Sequence, residues 1–130
     1  MPGDEGPTVL VPVRTLDEVC AGRVPAVMKI DVEGHENAVL AGAGRTLAEP
    51  ALLAVIVETN ASAERFGESD DNLVATMQRA GFVTCTYSAR ERIVRPSPKG
   101  RHNTIFVRDL AAVQERCAGA PRFRLVNGTI

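Results

Sequence analysis

Ala51-Leu52-Leu53-Ala54-Val55-Ile56-Val57-Glu58 is an apolar run without a polar interruption until its terminal acid. A half-exposed strand would alternate apolar and polar residues. A continuous run of this length predicts a strand buried on both faces, as in a parallel sheet covered by helices. Pro50 in front of it closes the preceding element, because the residue before a proline is driven out of the helical region. Upstream, Ala26-Val27-Met28-Lys29-Ile30-Asp31 is a second short apolar run that also ends in acid. Between the two, Ala38, Val39, Leu40, Ala43 and Leu47 recur at helical spacing, which predicts one helix from about Gly34 to Leu47. Strand, helix and strand in this order form the unit from which parallel sheets are built.

The remaining segments extend that unit. Thr8 to Thr15 is β-branched and apolar, but Pro12 limits it to an edge or irregular strand. Thr15 and Glu18 form a capping box at the start of a short helix over Leu16 to Cys20. Asp70 to Ala80 reads as a helix capped by Asp70 or Asp71, with Leu73, Val74 and Met77 facing inward and Gly81 stopping it. Phe82 to Tyr87 and Thr104 to Val107 are strand-like and suited to antiparallel pairing. Arg90 to His102, basic and carrying Pro96 and Pro98, reads as a long mobile loop. Leu110 to Ala118 predicts a last helix followed by an extended tail. The expectation is one α/β domain over residues 1–130, with residues 1–7 disordered and a mainly parallel sheet.

With 45% hydrophobic and 24% charged residues in 130, the composition is that of a globular domain and not of a disordered or fibrous chain. The net charge of -1 offers no global field for nucleic acid or an anionic membrane. No apolar run approaches the roughly 20 residues that span a bilayer, and residues 1–7 lack the pattern of a secretory leader. Three cysteines, Cys20, Cys85 and Cys117, are widely separated and form no CxxC pair. This argues against a disulfide framework or a zinc site and for a reducing, cytoplasmic setting. Without a secretion signal, the sequons at Asn60 and Asn127 carry no weight.

In open α/β sheets, ligands bind beyond the carboxyl ends of the strands. Two acidic strand ends meet that condition: Asp31 with Glu33, and Glu58, followed by Thr59 and Asn60 as hydrogen-bonding groups. Asp31 or Glu33 equally suits the N-terminus of the helix that follows, and Glu58 equally suits a solvated strand end. Asp31, Glu33, His35 and Glu36 offer oxygen and nitrogen atoms of the kind that bind metals, but no second histidine cluster supports them and no metal is assigned. His35 reads as a first-turn helix residue and His102 as an exposed loop residue. Gly42 and Gly44 follow a helix and not a strand, unlike a phosphate-binding loop. Arg90, Arg92, Arg95, Lys99 and Arg101 form either a solvated loop or a clamp for a phosphate-bearing or acidic substrate.

Thr15-Leu16-Asp17-Glu18, followed by Lys29-Ile30-Asp31-Val32-Glu33-Gly34-His35-Glu36, resembles the FkbM family of S-adenosylmethionine-dependent methyltransferases. Leu40-Ala41-Gly42, Ile56-Val57-Glu58 and Asn103 before the last strand continue the match in order, to about Val107. The resemblance implies a Rossmann-like class I methyltransferase fold with an antiparallel last strand, of which this chain holds the carboxyl-terminal half. The glycine-rich loop and ribose-binding acid that hold S-adenosylmethionine in that family have no counterpart here. By resemblance, an intact enzyme methylates a hydroxyl of a sugar, polyketide or related metabolite, with Asp31, Glu33 and Glu58 as its catalytic carboxylates. The implied partners are that acceptor, an amino-terminal half, and a second copy at the open sheet edge. Two other readings stand beside it: a non-catalytic partner-binding module, and a metal-dependent phosphoryl-transfer or hydrolase site on the same acids.

Overall fold

The computed structural model describes residues 6–59 and 69–129. In chain order the elements are α1 (Leu16–Val19), β1 (Val27–Ile30), α2 (Glu36–Ala41), α3 (Gly44–Ala48), β2 (Ala54–Glu58) and α4 (Asp70–Arg79). They continue as β3 (Val83–Ser88), β4 (Ile93–Pro96), β5 (Asn103–Val107), α5 (Leu110–Gly119), β6 (Arg124–Leu125) and β7 (Gly128–Thr129). The fold is mixed α/β, with a five-stranded sheet ordered β1-β2-β5-β3-β4. The expected parallel pair is present: Ile30 lies beside Val57 and Val27 beside Ala54. The expected antiparallel pairing of β3 with β5 is present too.

Four expectations are corrected. The sheet is not mainly parallel in its pairings, because β5 returns antiparallel between β2 and β3 and both of its pairings are antiparallel. The basic segment from Arg90 to His102 is not one loop. Its Ile93–Pro96 stretch pairs with β3 as an edge strand, burying Val94, and Pro96 is tolerated because the edge has no further neighbour among the described residues. The helix expected over Gly34 to Leu47 is two short helices. Asp17 reaches across from α1 and accepts hydrogen bonds from the amides of Arg45 (3.0 Å) and Thr46 (2.8 Å), so that a new helix starts there instead of the old one continuing. Finally, α4 is capped by Ser69, whose hydroxyl accepts from the Asn72 amide at 3.2 Å, while Asp70 is engaged by Lys99 at 3.0 Å.

Other local readings stand. Thr15 and Glu18 form the reciprocal capping box, an arrangement that typically contributes ~1 kcal/mol. Gly81, at φ +89, supplies the left-handed residue that ends α4. One further expectation is corrected: Thr8 to Thr15 is not an edge strand, since Pro12 removes a ladder donor, and its valines and Leu10 are exposed. The tail carries only the small β6–β7 hairpin, separate from the main sheet.

The sheet divides the core. On one face Ile30, Val55, Val57 and Phe106 meet Leu40, Leu47, Leu73, Met77 and Phe82 from the helical side. Each fully buried side chain of this size contributes about 1.5–3 kcal/mol relative to exposure. On the other face Ala54, Cys85, Val94 and Val107 pack against Leu110, Val113 and Cys117 of α5. Arg108 ties the layers at the amino end of β2. Its guanidinium lies 4.3 Å over the Phe82 ring and donates to the carbonyls of Leu52, Ala80 and Leu47. The α5 face is covered only in part. Val27 remains 57% exposed, and β1 has no strand on its outer side among the described residues.

Two backbone amides and the Thr46 hydroxyl donate to Asp17 and hold its carboxyl down, at about 2 from an ordinary 3.8. A carboxylate whose pKa is lower folded than unfolded stabilises above the unfolded value and loses that contribution as pH falls. Asp17→Asn is therefore expected to be less stable than the parent at neutral pH. The gap between their urea midpoints should close between pH 3.8 and about 2.

Candidate active site

Alternation along the strands sorts their side chains between the two faces. Ile30 and Val57 point to the helical core, so Lys29, Asp31 and Glu58 fall on the opposite face, at the carboxyl ends of β1 and β2. The register that sets Ile30 beside Val57 brings Asp31 next to Glu58. On the far side of β2, the antiparallel register sets Asn103 opposite Glu58. Glu33 joins them through an unusual turn. Its own φ is +50 and that of Gly34 is +101, which reverses the chain after β1. Asp31, Glu33 and Glu58 each place one carboxylate oxygen within 4.8 Å of the others. The three candidate catalytic residues are thus one cluster, at the edge where ligands of α/β sheets bind.

Glu36, considered above with the cluster, is not part of it. Its side chain is 1% exposed and accepts from the amides of Val32 (3.2 Å) and Gly34 (3.0 Å). That removes it from any ligand set. His35 precedes α2 as its N-cap residue, without a side-chain cap bond.

The cluster is electrostatically asymmetric. Asp31 is held below the usual carboxylate range, first by its hydrogen bond with Lys29 and then by one with Glu58. Glu58 is pushed up, first by desolvation and then by Asp31, Glu33 and Glu36. The two shifts describe one arrangement: of the pair, Asp31 ionises first and Glu58 holds its proton to higher pH, as adjacent carboxyls do when both cannot easily ionise together. The Oε2 atom of Glu58 is buried and has no hydrogen-bond partner among the described residues. Such a pair can accept a proton at Asp31 or Glu58 and align a hydroxyl between them.

On the face of the sheet shared with Val57, opposite to the acids, two hydroxyls pair. The Thr59 amide donates to the His102 carbonyl at 2.8 Å, and the Thr59 and Thr104 hydroxyls meet at 2.7 Å, both residues being buried. The Gly100 amide donates to the Thr104 hydroxyl at 3.1 Å. A Cβ at residue 100 would sit 1.9 Å from the Asn103 carbonyl oxygen, so only glycine passes there. Asn60 and its sequon lie outside the described residues. The basic side chains of the same segment are largely committed elsewhere: Lys99 to Asp70, Arg95 to Glu91, and Arg92 to the Ala120 carbonyl.

A groove of about 820 Å³ runs along the open side of β1, lined by Thr15, Leu16, Met28, Ile30, Val39 and, at its rim, Asp31. Alternation within each strand was visible in the sequence. It sets Lys29 and Asp31, two residues apart, on one face, whereas the Thr59–Thr104 pair was not visible, because it depends on how the folded strands bring side chains together.

The profile of the FkbM methyltransferase domain matches residues 1–84, which contain Asp31, Glu33 and Glu58. The chain belongs to the FkbM methyltransferase family. No curated protein and no solved structure gave a significant match. No helix among the described residues is long and apolar enough to cross a membrane.

Methyltransferases of this family are expected to use S-adenosylmethionine, a sulfonium cation that also carries a carboxylate, a ribose and an adenine. The groups gathered at this edge do not fit the whole of it. They are acids, and the cation beside them, Lys29, is already paired with Asp31. No step is therefore assigned through the cofactor.

A carboxyl whose pKa is higher folded than unfolded costs stability once the unfolded chain can ionise. The unfolded state releases its proton near 4.5 while Glu58 still holds its own. Glu58→Gln, which cannot ionise, is expected to be more stable than the parent at pH 7. In thermal melts the advantage should shrink as pH falls toward 4.5 and vanish below it.

Proposed function

We propose that this chain carries the acceptor-activating edge of an O-methyltransferase acting on a hydroxyl of a sugar, polyketide or related metabolite. The observation that carries the reading is the convergence of Asp31, Glu33 and Glu58 at the carboxyl edge of a parallel strand pair, inside the matched family domain. Methyl transfer to oxygen requires the hydroxyl to be aligned and to lose its proton. Asp31, which ionises first, is the group that takes that proton, Glu33 is the second candidate, and Glu58 positions the hydroxyl. Asn103, across from Glu58, is placed to orient the same group.

The sheet supports a Rossmann-like methyltransferase half. β2 and β3 run in the same direction and flank the antiparallel β5. In this reading the cofactor contacts come from outside the described residues, and S-adenosylmethionine binds the isolated chain weakly or not at all. Calorimetry with the cofactor tests this, and sub-micromolar affinity would overturn it. With an amino-terminal half supplied and turnover restored, Asp31→Asn should lower turnover by about 10²- to 10⁴-fold. Its melting temperature should stay close to the parent's, because an exposed strand-end carboxylate has little packing to lose. Unchanged turnover would pass the role to Glu33 or Glu58.

The open side of β1 belongs to the same proposal. A strand edge with unpaired amides and carbonyls beside an apolar groove is a template for association. Pro12 keeps the neighbouring segment from filling it. Self-association of the isolated chain is expected in sedimentation at micromolar concentration, and a monodisperse monomer would refute it.

A further inference from the structure

We propose that Glu36 is the positioning residue of the acid cluster: it holds the Val32–Gly34 turn in the geometry that carries Glu33 to Asp31 and Glu58. The inference rests on the reading of those three acids as the working site, but its test does not require methyl transfer.

Glu36 is the first residue of α2 and is nearly sealed from solvent at 1% exposure. Buried carboxylates are costly unless their oxygens are hydrogen-bonded. Here one oxygen accepts from the Val32 amide at 3.2 Å and the other from the Gly34 amide at 3.0 Å. These two amides bracket Glu33. They belong to a turn that also has the His35 amide donating to the Val32 carbonyl at 3.3 Å.

Inside that turn the backbone takes a conformation it does not adopt by preference. Glu33 sits at φ +50, where a side-chain-bearing residue is uncommon, and Gly34 at φ +101, where only glycine is at ease. Conformations of this kind persist only where the surroundings over-determine them. The Glu36 carboxylate is the group that does so, because it clamps the amide before and the amide after the strained residue. Release of the clamp lets Glu33 relax toward negative φ, which turns its side chain away from the sheet edge.

The consequence is a coupling between residues that do not share a hydrogen bond. Glu33 raises the proton affinity of Glu58 only while the turn holds it nearby. Among the described residues, the charged groups acting on Glu58 are Asp31 with its partner Lys29 from the β1 side, Glu33 in the turn and Glu36 on α2. Removing the Glu36 charge shifts Glu58 directly, so a single variant does not isolate positioning from electrostatics. A double-mutant cycle does.

The experiment is carbon-13 NMR titration of the Glu58 carboxyl in the whole chain, for the parent, Glu33→Gln, Glu36→Gln and Glu33→Gln/Glu36→Gln. In Glu36→Gln the side chain keeps one acceptor oxygen but turns an N–H₂ toward the second amide, so the clamp is broken. Positioning predicts that Glu33→Gln lowers the Glu58 midpoint in the parent background and leaves it unchanged in the Glu36→Gln background. A merely structural or electrostatic Glu36 predicts the same downward shift from Glu33→Gln in both backgrounds, and that result would overturn the proposal. So would the absence of any shift in the parent.

If Glu36→Gln does not fold, Gly34→Ala takes its place. It disturbs the turn from the backbone with Glu36 intact, and the Glu33→Gln shift must again disappear. The unmutated chain provides an independent check. The Val32 and Gly34 amides should be protected from hydrogen exchange at neutral pH. Unprotected amides at neutral pH would refute the clamp. Loss of cofactor binding or turnover with an intact cycle would count against the methyltransferase reading and not against this one.

Discussion

The site depends on the register between β1 and β2. Ile30 and Val57 are partners in that pairing, and both are buried in the helical core. A slip of one residue would turn every side chain of β1 to the wrong face, so the burial of Met28 and Ile30 fixes the pairing that sets Asp31 beside Glu58. The carboxylates themselves contribute nothing to that choice. They are carried into proximity by apolar contacts on the opposite side of the sheet, which are strong enough to impose a like-charge encounter on the polar side.

That encounter has an energetic sign. Glu58 is partly desolvated, faces three other acids and leaves an oxygen without a hydrogen bond among the described residues. None of this favours folding. Elsewhere the chain satisfies its buried polar groups closely: Asp17 takes two amides and a hydroxyl, Glu36 takes two amides, and Arg108 serves three carbonyls and a ring. A molecule that pairs these charges and leaves one carboxyl unsatisfied at a strand end concentrates its electrostatic strain where chemistry is expected.

The motifs that mark the family also have structural work to do. In Thr15-Leu16-Asp17-Glu18, the first and last residues cap α1 and Asp17 starts α3, so this short segment ties α1 to the α2–α3 layer. In Lys29-Ile30-Asp31-Val32-Glu33-Gly34-His35-Glu36, Ile30 anchors the strand, Lys29 and Asp31 pair, and Gly34 permits the reversal that Glu36 clamps. Residues that are functional candidates alternate with residues that place them.

By itself the sequence determined most of the segments that are strands and helices. Apolar runs, helical spacing and capping residues are local properties, and they located β1, β2, α4, β3, β5 and α5 to within a few residues. It also delivered the three acids, since an acid ending an apolar strand is visible without any contact map. Tertiary structure decided what local signals do not encode. The break between α2 and α3 comes from Asp17, which is remote in the chain from the amides it caps. The strand hidden in the basic segment exists because β3 offers it an edge. The antiparallel entry of β5 between β2 and β3 sets Asn103 opposite Glu58. The raised proton affinity of Glu58 comes from desolvation and from neighbours on β1, the turn and α2, and both are created only when the core closes on the other face of the sheet.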